Sequence, residues 1–123
     1  MIVMFGFEKL EVWQKAIELT DSVYAFTRPF PSDERFGLTS QMRRASVSVA
    51  SNIAEGSARG SAPDFTRFIE FSYSSLMELV TETTVAQRQG FVSELNFSAT
   101  YDKCEQIARM LSGLRASLIK PEK

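Results

Sequence analysis

Residues 38–60 read LTSQMRRASVSVASNIAEGSARG. Leu38, Met42, Ala45, Val49, Ile53 and Gly56 recur at steps of three and four, the spacing of one face of an α-helix. No alternation with a period of two competes with it. Between Ala45 and Ala62 nearly every side chain is small. A helix this slim lets its neighbours approach toward the ~8 Å end of normal interhelical distances. This stretch therefore predicts a long helix over about 38–58 within an all-helical packing. Gly60 is a plausible terminator, and the Gly56/Gly60 pair reads as close packing followed by termination.

The same periodicity extends in both directions. Upstream, Leu10, Trp13, Ile17, Thr20, Tyr24 and Thr27 form a helical stripe over about 8–28. Pro29 and Pro31 cannot continue it, and Phe30 between them is placed to plug the end of a core. Ser32, Asp33 and Glu34 resemble a helix start, interrupted by Gly37. Downstream, Ser61 and Asp64 resemble a capping pair with Pro63 in the first turn. They open a helix over about 62–89 whose inner face is Phe65, Phe68, Ile69, Ser72, Leu76, Leu79, Thr83 and Ala86. Gly90 closes it. Ser93 or Ser98 caps a fourth helix over about 94–119. Its inner face is Tyr101, Cys104, Ala108, Leu111 and Leu118, flanked by Ile107 and Leu114. Gly113 in its interior costs about 1 kcal/mol against alanine, and close backbone packing is one reason for its presence. Four helices with short connections predict an all-α, antiparallel up-down-up-down four-helix bundle, residues 1–123 forming one domain.

Composition narrows the function classes. The formal net charge is −1, so any nucleic-acid surface must be local rather than global. The chain has no histidine and a single cysteine, Cys104. An internal disulfide is excluded, and Cys104 reads as a small core residue rather than a nucleophile, since the usual activating partner is missing. No apolar run approaches the ~20 residues of a membrane span, and the apolar start lacks a basic leader. A cytoplasmic protein is expected. Phe5 and Phe7 are expected to fold back on the bundle, with contact to a neighbouring subunit as the other option.

Catalytic chemistry finds little support. Diiron bundles need a Glu-x-x-His pair, which is impossible here. Glu55, Glu70, Glu78 and Glu82 could in principle serve a hard cation, but no spacing demands it. Phosphate-loop and nucleophile-elbow motifs are absent from the sequence. The expectation is a non-enzyme without cofactor or metal.

Two features of the 38–60 stretch stand out. A polar stripe of Gln41, Ser48, Asn52, Glu55 and Arg59 runs beside the apolar face. Amides, serine and one acid on a slim helix suit a buried or half-buried hydrogen-bond seam. That seam serves either the interior of one bundle or a contact between subunits. Charge also segregates: four arginines and one acid lie between Arg35 and Arg59, whereas two arginines and four acids lie between Ser61 and Gln89. The complementarity suits pairing within the chain, an oligomer interface, or solubility alone. Arg43 and Arg44 project about 100° apart on the helix, and with Arg59 they are the candidate nucleic-acid contacts.

The segments Leu38-Thr39-Ser40-Gln41-Met42-Arg43-Arg44-Ala45 and Ser51-Asn52-Ile53-Ala54-Glu55-Gly56 resemble the four-helix bundle proteins encoded in intervening sequences of bacterial 23S ribosomal RNA genes. Leu10-x-Val12-Trp13-Gln14, Glu34-x-Phe36-Gly37-Leu38 and Ser75-Leu76-x-Glu78-Leu79 extend the likeness to roughly residues 7–118. Accessory variability proteins of diversity-generating retroelements belong to the same broader group. The resemblance implies a homopentamer without established activity. Its retroelement branch implies binding to RNA or DNA and a reverse transcriptase partner. The near-neutral charge departs from that branch. Ala50, where many relatives carry proline, implies a straighter second helix.

Overall fold

A computed structural model describes residues 5–119. Helix α1 spans Glu11–Thr27, α2 Leu38–Ser57, α3 Ala62–Arg88 and α4 Glu94–Leu118. Single-turn 3-10 segments at Gly6–Lys9 and Ser32–Glu34 precede α1 and α2. Each helix packs on the next and α4 returns to α1, while the diagonal pairs stay apart. The result is an up-down four-helix bundle, with the α2–α3 pair the most extensively packed.

Local chemistry sets the ends. Gly37 opens α2 with no side chain of its own, so Glu34 reaches forward and its Oε1 accepts from the Leu38 N–H at 3.0 Å. Ser61 Oγ accepts from the Asp64 N–H at the start of α3. Ser93, not Ser98, caps α4, its Oγ accepting from the Asn96 N–H at 3.1 Å. Helix α3 ends in a Schellman motif: the Phe91 N–H reaches the Ala86 carbonyl and the Gly90 N–H reaches that of Gln87. Gly90 accordingly adopts φ +81°, the left-handed region that a side chain disfavours. Gly60 does not play this part at the end of α2. There the Ala58 and Arg59 N–H groups bond the carbonyls three residues back, so a left-handed residue is not required.

The core confirms the expected faces of α2 and α3 and corrects two others. Met42, Ala45, Val49, Ile53 and Gly56 are buried on α2, as are Phe68, Ile69, Ser72, Leu76, Leu79, Thr83 and Ala86 on α3. On α1 the buried set is Val12, Ala16, Leu19, Val23 and Thr27, whereas Ile17 and Tyr24 are exposed. Both stripes obey helical spacing, and the aliphatic one with smaller, more uniform side chains is the one that fits between α2 and α4. On α4 the buried positions are Thr100, Cys104, Ile107 and Leu111, and Tyr101 is 48% exposed rather than inward. Gly113 has no neighbour within 4 Å of where a Cβ would stand, so close packing does not account for it.

Both ends of the bundle carry aromatic plugs. Phe30 is buried, with its ring 5.6 Å from Phe91 and 6.3 Å from Phe26. At the other end Phe7 meets Trp13 edge-on at 5.1 Å, and Phe5 stacks on Phe7, so this segment folds back onto the bundle.

Candidate functional site

The polar stripe of α2 faces α3 along the tightest seam of the molecule. Gly56 is its closest point: an added methyl there would lie 2.6 Å from Phe68 Cβ and 3.0 Å from the Phe65 ring. Ser72 Oγ crosses the seam to donate to the Val49 carbonyl at 2.7 Å. Ser48 and Ser75 share a hydrogen bond at 2.9 Å across it. Asn52 Nδ2 donates to Ser48 Oγ at 3.0 Å and to the Ser48 carbonyl at 2.9 Å. Asn52, Ser48 and Ser75 thus form a chain of half-buried polar groups that ties two helices together. Glu55 stands apart from this chain, exposed and 3.9 Å from Arg59 one turn on.

Toward the start of α2 the seam opens into a cleft of about 370 Å³ lined by Gln41, Arg44, Ala45, Ser48, Glu78 and Glu82. Glu82 Oε1 is buried without a hydrogen-bond partner. Burial, with a smaller contribution from the neighbouring Glu78 carboxylate, raises the Glu82 pKa from 4.5 to about 7. Arg44 borders the same space, as well as the hollow toward Tyr24 and Val47, and makes no hydrogen bond or ion pair among the described residues.

The three candidate arginines are not gathered into one patch. Arg43 turns to α1, where its Nε donates to Thr27 Oγ1 at 3.0 Å and its guanidinium lies 4.6 Å from the Tyr24 ring centroid. A cation there complements the carbonyl end of α1. Arg59 lies over Phe68 at 4.5 Å. Arg44 lies in the second turn of α2 and Arg59 just past its end, about 20 Å away at ~1.5 Å of rise per helical residue. The acids are dispersed as well. Glu70 bridges to Arg115 of α4 at 2.7 Å, Glu55 pairs with Arg59, and Glu78 and Glu82 border the cleft. Among the described residues three or more metal-ligating side chains do not converge anywhere. The charge contrast of α2 and α3 yields no ion pair between them among the described residues. The bridges are within helices or, for Glu70–Arg115, between α3 and α4. Cys104 is buried and its thiol is pushed up to about 12 by that burial, which suits a core residue.

Comparison with known families matches residues 8–113 to the 23S rRNA-intervening sequence protein model. The chain belongs to this family. A solved structure of similar fold is a protein of unknown function from the S23 ribosomal protein family of Bacteroides thetaiotaomicron. It is 18% identical, with a TM-score of 0.76 over 85% of this chain and 97% of that one. At that identity the likeness speaks for the fold. The comparison with curated proteins finds no match.

In this member of the 23S rRNA-intervening sequence protein family, sequence reading missed a second set of surface features. Ile17, Tyr24 and Val47 are exposed on the α1/α2 side. Tyr24 and Val47 border a shallow hollow with Arg44, Ser48 and Ser51. On the opposite side Tyr73, Met77 and Tyr101 are exposed along α3/α4. Tyr73 edges a groove of about 310 Å³ whose floor is Ile69 and Leu111. The signal available in the sequence was the excess of apolar positions on α1 beyond one face's worth. Among the described residues no helix is long and apolar enough to cross a membrane.

Proposed function

We propose that this protein is a non-enzymatic, homo-oligomeric scaffold of pentamer-like form that offers an assembled surface to a binding partner in the cytoplasm. The observation that carries this reading is the pair of unlike apolar faces on opposite sides of the bundle. Ile17, Tyr24 and Val47 mark one face, and Tyr73, Met77 and Tyr101 mark the other. Contact between two different patches is head-to-tail, and such contacts close into rings when the rotation allows. The resemblance to the intervening-sequence proteins, which implies a homopentamer, supports the same form. Under this reading the seam of Ser48 and Asn52 holds each protomer rigid, while Gln41 and Glu55 stay on its outer rim.

Sedimentation or light scattering of the purified protein tests it. The expected result is a single oligomer well above the 13.8 kDa of one chain. Val47→Glu or Tyr101→Glu, each at an exposed position, should give folded monomers by circular dichroism and mass. A monomeric parent protein at micromolar concentration overturns the reading.

A second reading is nucleic-acid binding through symmetry-related copies of Arg44, the candidate arginine whose guanidinium is free of intramolecular partners among the described residues. Phosphate contacts of this kind weaken steeply with salt. Labelled structured RNA and duplex DNA should then bind at low salt and lose affinity in Arg44→Gln. Absence of binding at low salt ends it.

A further inference from the structure

Glu82 and Arg44 both line the α2/α3 cleft, each lacking a hydrogen-bonded or ionic partner on the described part of the molecule, and the Arg44 charge does not yet act on the Glu82 carboxyl. A buried carboxyl oxygen with no donor and a guanidinium with no acceptor, sharing one cleft of about 370 Å³, form an incomplete pair. We propose that Glu82 and Arg44 are the two halves of a proton-controlled latch, open while Glu82 holds its proton and closed when the ionised carboxylate draws the Arg44 side chain across the cleft.

The surroundings favour this partner over others. From α3 itself the charged neighbour of Glu82 is Glu78, one turn away, whose carboxylate opposes ionisation. From α2 the cleft receives Arg44 as its charged group, with Gln41, Ala45 and Ser48 uncharged. No residue of α4 lines it. Loss of the Glu82 proton therefore leaves two carboxylates and one unpaired cation bordering the cleft. An arginine side chain has the length and the planar fork to bridge to a carboxylate once one is formed. The latch joins α2 to α3 next to the Ser48–Ser75 bond, so its state is felt along the seam.

The sign of the pH dependence follows. Glu82 in the folded chain keeps its proton to about pH 7, against 4.5 for the ordinary group. Between these values the folded state binds more protons than the unfolded one. Stability contributed by this group is thus full below about pH 4.5 and declines as pH rises through about 7. Closure of the latch offsets part of that decline.

The test is a carbon-13 NMR titration of the Glu82 carboxyl in the full chain, read together with the Arg44 Nε–H signal. The expected result is a Glu82 midpoint held below about 7 by the closing latch, an Arg44 signal that moves with the same midpoint, and a rise of the Glu82 midpoint to about 7 in Arg44→Gln. Arg44→Lys should cancel most of that rise. The thermal midpoint should fall between about pH 5 and pH 8 in the parent, fall further in Arg44→Gln, and stay nearly flat in Glu82→Gln. A Glu82 midpoint that stays in the ordinary carboxylate range in Arg44→Gln overturns the proposal. So does an Arg44 signal that ignores the titration, or a midpoint unmoved by Arg44→Gln.

Discussion

Helix α3 meets α2 and α4 in two different ways. Toward α2 it finds Gly56, Ala45 and Ser48, and the backbones close until a Cβ at Gly56 would strike Phe68 and serine hydroxyls bond directly across the seam. Toward α4 it presents Ile69, Tyr73 and Val80, and the helices stand off behind larger side chains. An open groove remains there, with Glu70–Arg115 bridging its rim. Side-chain volume decides the difference. A slim helix buys proximity and then must satisfy the polar groups it brings inside. A bulky seam keeps its distance and leaves apolar surface for something else to cover.

The sharpest way to break this contrast is to add volume at the closest point. Gly56→Val should destabilise the fold by on the order of 3 kcal/mol, because the new methyls meet Phe68 Cβ and the Phe65 ring with nowhere to go. The urea midpoint measures it, and an unchanged midpoint would mean that the seam is not close-packed. A smaller effect is expected from removing one polar tie. Ser72→Ala should cost about 1 kcal/mol, since the Val49 carbonyl loses the hydroxyl donor that crosses the seam but keeps its place in the α2 backbone. A loss several times larger would assign the seam's polar groups more of the stability than its packing. The mildest change is expected on α4, where Gly113 has open space around it. Gly113→Ala should raise stability by about 0.8 kcal/mol through helix propensity alone. If the variant is instead less stable, or loses its oligomer, Gly113 is covered by another copy.

Much of this was readable in the residues, unevenly. The faces of α2 and α3 were legible because on each the aliphatic positions recur in one register, even though Val47 on α2 and Phe71, Tyr73, Met77 and Val85 on α3 lie outside it. On α1 two stripes satisfy the same spacing, and Leu10–Trp13–Ile17–Tyr24 carries the larger side chains. The fold instead buries Val12–Ala16–Leu19–Val23 and leaves Ile17 and Tyr24 outside. Tyr101 was misplaced for the same reason, as an amphipathic ring one position off the true face. The polar stripe of Gln41, Ser48, Asn52, Glu55 and Arg59 was visible as a pattern. Its division into bonded members, Ser48 and Asn52, and rim members, Gln41 and Glu55, was not.

By itself the sequence determined the helices, most of their ends and the slimness of α2, because periodicity, capping residues and side-chain size are local properties of the chain; the choice between Ser93 and Ser98 and the end of α2 before Gly60 it did not determine. It also carried the family, through the residues around Arg43–Arg44 and Asn52–Gly56. Only the tertiary structure decided which of two stripes on α1 is core, where each arginine points, and that Glu82 and Arg44 share a cleft. These depend on the rotation of one helix against another. That rotation is fixed by the packing of all four helices together, and no single helix's spacing contains it.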